Sequence, residues 1–320
     1  MAATRMLTTS HGTNREAFTP RDWGLFVSLA LIWGSSFLFM AIGLDAFHPG
    51  LVTMLRVAFG ASFLALIPKA RATKIDREDF PTILVLAAIW VAIPFTLFPI
   101  AQQWIDSAIA GMLNGATPIF TAVIATILHR ALPGPLQVTG LVLGFAGILA
   151  IALPSAGGGA TAVIGVVLIV LATLGYAVSL NMVPPLQRKY GSLPLMARIE
   201  WIALPMVVPF GLVGVAESTF AWPSLLAVTA VGILGTGLAF VLMGNLAGSV
   251  GATRASFLTY LIPVVALALG IFFRDEIVSP VAILGAGLVI IGAILASRRE
   301  VPRGEIAVTP PGEKPDATPA

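Results

Sequence analysis

Arg56, Arg198, Asn114, Thr117, Thr259 and Tyr260 each interrupt an otherwise apolar stretch. Polar groups placed in that way bind ligands, hold ions or tie helices together. Bond-breaking chemistry would need more: a nucleophile beside a base, or acids and histidines gathered at one place. The histidines are only His11, His48 and His129, in a tail and in two separate connections, and the carboxylates are scattered. There is no cysteine, which excludes disulfides, thiolate metal sites and cysteine nucleophiles. No GxxxxGK(S/T) phosphate loop occurs either. The sequence therefore predicts no enzyme, no metal site and no cofactor.

The stretch "NGATPIFTAVIA" (114–125) sets Pro118 within an apolar run, and "LTYLIPVVALAL" (258–269) does the same with Pro263. A proline at position i removes the bond to the carbonyl of residue i−4 and crowds that turn. The carbonyls released are those of Asn114 and Thr259, which in hydrocarbon must find another partner or line a wet cavity. A kinked, continuous helix is expected at each proline, acting as a hinge. Asn114, Thr117, Thr259 and Tyr260 around the prolines are expected to line a substrate cavity. Interhelical hydrogen bonding, worth about 0.6 to 2 kcal/mol, is the simpler reading of the same residues.

Trp33 and Ser36 fall near the middle of the first apolar run, with Ser35 and Gly34 between them. Tryptophan prefers membrane interfaces, so one at mid-depth beside hydroxyls points to a cavity wall, although small residues there also serve close helix packing. Trp90 and Tyr176 are likewise central and could stack on a ligand. Arg56 lies about 10 Å below the surface, at 1.5 Å per residue, where inserting arginine costs about 2.5 to 3.5 kcal/mol. A structural or gating ion pair with Asp106 is the expectation favoured by depth, and a substrate carboxylate or snorkelling are the others. Arg198 has Glu200 nearby, but residues two apart do not share a helix face.

The elements that must position these residues are membrane helices. Of 320 residues, 58% are hydrophobic and 10% charged, with a mean hydropathy of +0.97. Soluble domains carry about 25% charged residues. Windows of bilayer length fall at 23–43, 49–68, 80–100, 104–127, 136–153, 162–184, 194–215, 224–245, 252–273 and 278–297. This gives an all-α transmembrane fold of ten helices, with no room for a soluble catalytic domain. The net charge of +3 reflects an orientation signal and not nucleic-acid binding. Of the 18 Lys and Arg, all but Arg56, Arg198 and Arg274 fall on one side when ten spans are threaded. Both termini are then cytoplasmic, with residues 1–21 as an N-terminal tail and 298–320 as a disordered C-terminal tail.

Sliding the chain by 145 residues lays Pro118 on Pro263, Pro135 on Pro280, Gly140 on Gly285 and Gly147 on Gly292. A weaker match at 142 pairs Met54 with Met196 and Arg56 with Arg198. The repeats cover 22–153 and 162–297, five helices each. Five is odd, so the units enter the membrane in opposite senses, an architecture of secondary transporters with the substrate site near the midplane. "GLVLGFAG" (140–147) and "GAGLVIIG" (285–292) read as small-residue packing seams, within one protomer or between two in a homodimer.

"WGSSF" (33–37), "MLRVAFG" (54–60), the paired mid-helix prolines and "RDEIVSPVAILGAGLVIIGAIL" (274–295) resemble signatures of the drug/metabolite transporter superfamily, EamA-like family. The resemblance spans about 22 to 297. It implies ten helices, a central cavity lined by both repeats, spans five and ten at the periphery, and export of small metabolites, amino acids or drugs from a bacterial inner membrane. The expected partners are a small-molecule substrate and the lipid bilayer. A channel or facilitator without ion coupling is the alternative. The second repeat has Glu276 before its last helix where the first has Ala131.

Overall fold

The computed structural model describes residues 19–129, 134–156, 159–250 and 255–296. The tails expected over 1–21 and 298–320 lie outside these, apart from residues 19–21, and so does Ala131. The described residues form helices and no strand. Thr19 opens the first helix: its hydroxyl accepts from the Asp22 N–H while Asp22 accepts from the Thr19 backbone, a reciprocal cap. That helix, α1 (Pro20–Leu44), leads to α2 (Pro49–Leu66) and a short α3 (Pro68–Arg71). Next come α4 (Phe80–Leu86), a π-helical segment (Ala87–Ala92) and α5 (Ile93–Ala101), which run as one rod. The rest of the first half is α6 (Ser107–Asn114), α7 (Thr117–His129) and α8 (Pro135–Ala156). The second half contains α9 (Ala160–Tyr190), α10 (Ser192–Ala216), α11 (Trp222–Ala230), a second π segment (Val231–Leu238) and α12 (Ala239–Val250). A 3₁₀ segment (Ser256–Tyr260), α13 (Ile262–Arg274) and α14 (Pro280–Ala296) complete it.

Eight helical stretches among the described residues are long and apolar enough to cross a membrane. Two shorter apolar helices, Leu258–Arg274 and Pro280–Leu295, stand where the last two crossings are expected. The outward surface is apolar, with Ile127, Leu153, Leu212, Phe272 and Leu284 largely exposed. Such a surface suits hydrocarbon and not water.

The offset of 145 seen in the sequence recurs in three dimensions. It carries Ala87–Ala92 onto Gly232–Gly237, inside the second π segment. Neighbours obey the same exchange: α2 packs on α10, α6 on α13 and α8 on α14. The pair α5 with α9 matches α12 with α1, and α7 with α9 matches α13 with α1. The α8–α14 seam is a backbone contact. A Cβ built on Gly147 would lie 2.6 Å from the Gly285 carbonyl oxygen, and one on Gly292 would lie 2.5 Å from the Gly144 nitrogen. Both small-residue runs are thus spent on each other inside one chain.

The proline positions differ from expectation. Neither helix is a continuous kinked rod. α6 ends at Asn114, Gly115 and Ala116 make a tight turn, and α7 restarts with Pro118 in its first turn. The second half repeats this: the 3₁₀ segment ends at Tyr260 and α13 starts with Pro263 in its first turn. A proline is tolerated there because the first-turn N–H groups have no intrahelical partner.

Candidate functional site

The interior between α2, α9, α10 and the two π segments brings together Arg56, Glu200, Tyr176, Trp33 and Trp90. Arg56 is 6% exposed and makes no ion pair among the described residues. Its Nε donates to the Thr236 hydroxyl at 3.3 Å, Nη1 reaches the Met40 sulfur at 3.4 Å, and its guanidinium carbon sits 3.5 Å from the Phe95 ring centroid. A desolvated cation over an aromatic face gains about 2 kcal/mol. Close approach of the second π segment makes the Thr236 contact: a Cβ on Gly232 would lie 2.8 Å from the Arg56 carbonyl, and one on Gly60 would lie 2.7 Å from Thr236 Cγ2. Glu200 on α10 is 0% exposed, and neither carboxylate oxygen has a hydrogen-bond partner. Arg56, Glu200 and Tyr176 are close enough to interact electrostatically.

Aromatic rings wall this centre. Trp33 Nε1 donates to the Gly235 carbonyl at 3.0 Å, a group that the π geometry of its segment turns toward α1. The edges of Trp33 and Trp90 meet Phe240 at 6.3 and 6.2 Å. Tyr176 stacks on Phe98 at 5.9 Å. All three expected aromatic residues are only half-buried, and so present faces that packing does not consume. Ser36 is instead a packing residue: its hydroxyl donates to the Ile32 carbonyl at 3.0 Å and lies where a side chain on Gly235 would have to go.

The proline-flanking residues form a second, distinct grouping. Thr117 Oγ1 donates to the Asn114 carbonyl at 2.7 Å, so the acceptor released by Pro118 is taken up locally. The Asn114 side-chain oxygen is buried without a partner. Gly115 lies against the Pro263 ring, bringing the two interruptions into contact. Thr259 belongs to the 3₁₀ segment, and the Tyr260 hydroxyl donates to the Ala293 carbonyl of α14 at 3.2 Å. Tyr260 therefore ties two helices of the second half to each other.

Two expectations are corrected. Arg56 makes no ion pair with Asp106 among the described residues: it lies inside α2, whereas Asp106 stands at the end of its own helix with other charged neighbours. Asp106 precedes α6 beside Glu276 and Arg274. Burial, and then the Glu276 carboxylate, push its carboxyl above the ordinary range, against a pull from Arg274. Arg198 is no counterpart of Arg56 in environment. It is exposed, and with Arg71 and Trp201 it lines a surface cavity of about 310 Å³.

Charged residues gather at both ends of the bundle. At one end Arg274 grips Asp45 with two bonds, at 2.7 and 2.9 Å. There Glu276 also caps α6 of the other half, accepting from the Ser107 N–H (3.0 Å), the Ser107 hydroxyl (2.6 Å) and the Ala108 N–H (2.8 Å). At the other end Lys189 bridges Asp76 (2.7 Å) and Asp79 (2.6 Å), and the Tyr190 hydroxyl donates to Asp79. The bond from Lys189 holds the Asp76 carboxyl below its usual range.

Sequence reasoning missed Thr236, Phe95 and Phe240. "GTG" at 235–237 was the available signal, a hydroxyl between glycines deep in an apolar run. Phe95 and Phe240 carry no signal at all, since a phenylalanine in hydrocarbon is unremarkable until its neighbours are known.

An all-helical membrane protein with a charged, aromatic-walled centre and ionic clusters at each end has the form of a solute carrier. The EamA-like transporter family model matches residues 23–153 and again 163–298, so the chain belongs to that family and carries its domain twice. It is a multi-pass membrane transporter and not an enzyme. It is 24% identical to the uncharacterized transporter YdfC of Bacillus subtilis, covering 82% of this chain and 86% of that one. It is 23% identical to a "probable terminal-alkyne amino-acid exporter" of Streptantibioticus cattleyicolor, covering 90% and 97%. It is 25% identical to the uncharacterized inner membrane transporter YedA of Escherichia coli K12, covering 86% and 90%. A solved crystal structure aligns with TM-score 0.59 at 20% identity, over 86% of this chain and 96% of the other, and so shares the fold.

Proposed function

We propose that this transporter exports small organic metabolites, amino acids or drugs, by alternating access around the centre that holds Arg56 and Glu200. Its ten helices then form two inverted five-helix units, with the shorter helices α13 and α14 among the crossings. Each ion pair joins residues that this threading puts on the same side, which supports it: Asp45 with Arg274 outside, and Asp76 and Asp79 with Lys189 inside. With both termini cytoplasmic, the basic residues face the cytoplasm of a bacterial inner membrane. Trp33, Trp90 and Tyr176 would contact substrate, and the interruptions at Pro118 and Pro263 would act as the hinges.

The observation that carries this reading is the buried Arg56, which makes no ion pair among the described residues and stands in the interior that also holds the half-buried Trp33, Trp90 and Tyr176. A carrier for a molecule with an anionic and an apolar part needs these elements. The amino-acid export named for the Streptantibioticus relative supports the substrate class. Counterflow in proteoliposomes tests it: liposomes preloaded with one unlabelled amino acid should transiently accumulate the same labelled compound, with saturation. Failure of every amino acid, nucleoside and cationic drug to show counterflow sinks the carrier reading, and unitary currents would replace it with a channel.

A further inference from the structure

We propose that Glu200 is the exchangeable-proton site of this transporter, with Arg56 as the positioning charge that sets when the proton leaves. The inference rests on the carrier reading above and adds its driving ion.

Glu200 stands about 12 Å along α10 from Ser192, at 1.5 Å per residue, far from either end of the helix. Its carboxyl group has no exposed surface and no hydrogen-bond donor. A carboxylate left in that state costs several kcal/mol, so its charge must be matched by a cation or cancelled by a proton. Arg56 is the cation in reach, yet Thr236, Met40 and the Phe95 ring hold its head in this conformation. Among the elements packed on α10, α2 presents Arg56 and α9 presents Tyr176, while α4, α12 and the first π segment contain no titratable residue. Lys69, Arg71, Arg188, Lys189 and Tyr190 belong to the end of the bundle near Gly191, and His48 lies against Gly214 near the other. Among the described residues of the centre, Glu200 is the one carboxyl group.

The step is simple in its chemistry. A proton passes between one Glu200 oxygen and a water molecule on the side to which the centre is then open, so one O–H bond breaks as another forms and no heavy-atom bond changes. Arg56 swings toward Glu200, or a cationic group of the substrate arrives, and the proton is released. The contacts of Arg56 come from both halves: Met40 lies on α1 and Phe95 on α5, while Thr236 lies on the second π segment. A relative movement of the halves therefore changes the hold on Arg56 and with it the charge that Glu200 feels.

The test needs no known substrate. Infrared difference spectra of the full-length protein in liposomes, taken across a pH titration in H₂O and D₂O, should contain a protonated-carboxyl C=O band. That band should shift in D₂O and vanish in Glu200→Gln. Arg56→Gln should move its titration midpoint up by about one pH unit or more, since a nearby cation favours the charged form. Glu200→Asp should keep a displaced band, and this rescues the proposal from a glutamine variant that fails to fold. A wild-type spectrum lacking a band assignable to Glu200, or an unmoved midpoint in Arg56→Gln, overturns it. Where accumulation of an amino acid driven by a pH gradient is measurable in the wild type, Glu200→Gln should lose it. Absence of counterflow with the band intact instead counts against the carrier reading alone.

Discussion

The Glu276 carboxylate, in the second half of the chain, accepts two hydrogen bonds from Ser107, at the start of a helix of the first half. The N-terminus of a helix offers unpaired N–H groups and a partial positive charge, and the carboxylate satisfies both. Glu276→Ala should lower stability by about 1 to 2 kcal/mol, and Ser107→Ala by about half that. Thermal unfolding in detergent, followed by size exclusion, measures both. An alanine variant at 276 that melts like the wild type would show that water replaces the cap at no cost.

Thr117→Val keeps the shape of the side chain but removes the donor for the Asn114 carbonyl. Leaving that acceptor without a partner should cost about 1 to 3 kcal/mol. Thr117→Ser should recover most of it, and comparison of the melting curves of the two variants decides.

Gly115→Val should abolish transport without preventing membrane insertion. A Cβ there would lie 2.5 Å from the Pro263 ring carbon and 3.0 Å from the Met112 carbonyl, so the two helix interruptions could no longer touch. Counterflow per molecule of purified protein is the readout, and normal flux would show that their contact is dispensable.

Arg56→Lys should reduce flux at least tenfold despite retaining the charge. Lysine lacks the planar fork that stacks on Phe95 while also bonding to Thr236. Thr236→Val removes only the hydroxyl and should produce a smaller loss. Saturation kinetics of the two variants would separate the contributions, and equal activity of lysine and arginine would contradict this geometry.

Asp76 and Asp106 predict pH effects of opposite sign. The Asp76 pKa is lowered in the folded protein by Lys189, so its contribution is present above the ordinary value of about 3.9 and is lost as pH falls through the folded value. Lys189→Ala should flatten the acid limb of a melting-temperature profile. The Asp106 pKa is raised, chiefly by burial, so its effect is favourable below that ordinary value and is lost as pH rises through the folded one. Asp106→Asn should therefore raise the melting temperature at neutral pH and leave it unchanged under acid conditions.

Depth along a helix was legible in the sequence because it follows from counting residues. Arg56 lies inside α2, away from both its ends, and positions 145 residues apart carry a π segment in each half. Which helix ends meet was not legible, so Asp106 was matched to Arg56 although its charged neighbours are Glu276 and Arg274. Pro118 and Pro263 both fall in the first turn of a helix, but whether a proline bends a helix or ends it depends on the turn before it and, at Pro118, on Thr117, which supplies the bond. The π segments were invisible because a change from i+4 to i+5 hydrogen bonding leaves no pattern in residues that are apolar on every side. In the sequence Glu200 is only a carboxylate near Arg198, and its isolation is a property of its neighbours.

The glycine seam between α8 and α14 also bears on how the protein is made. α8 is synthesised long before its mate, and its Gly144 and Gly147 face must remain against lipid until α14 emerges from the ribosome and is inserted. Chain truncation ahead of α14 would therefore leave a groove on the first half that no lipid tail fills as closely as a helix backbone does. Supplying α14 as a separate peptide in the same membrane should close that groove, so the two unlinked pieces would assemble without a peptide bond between them.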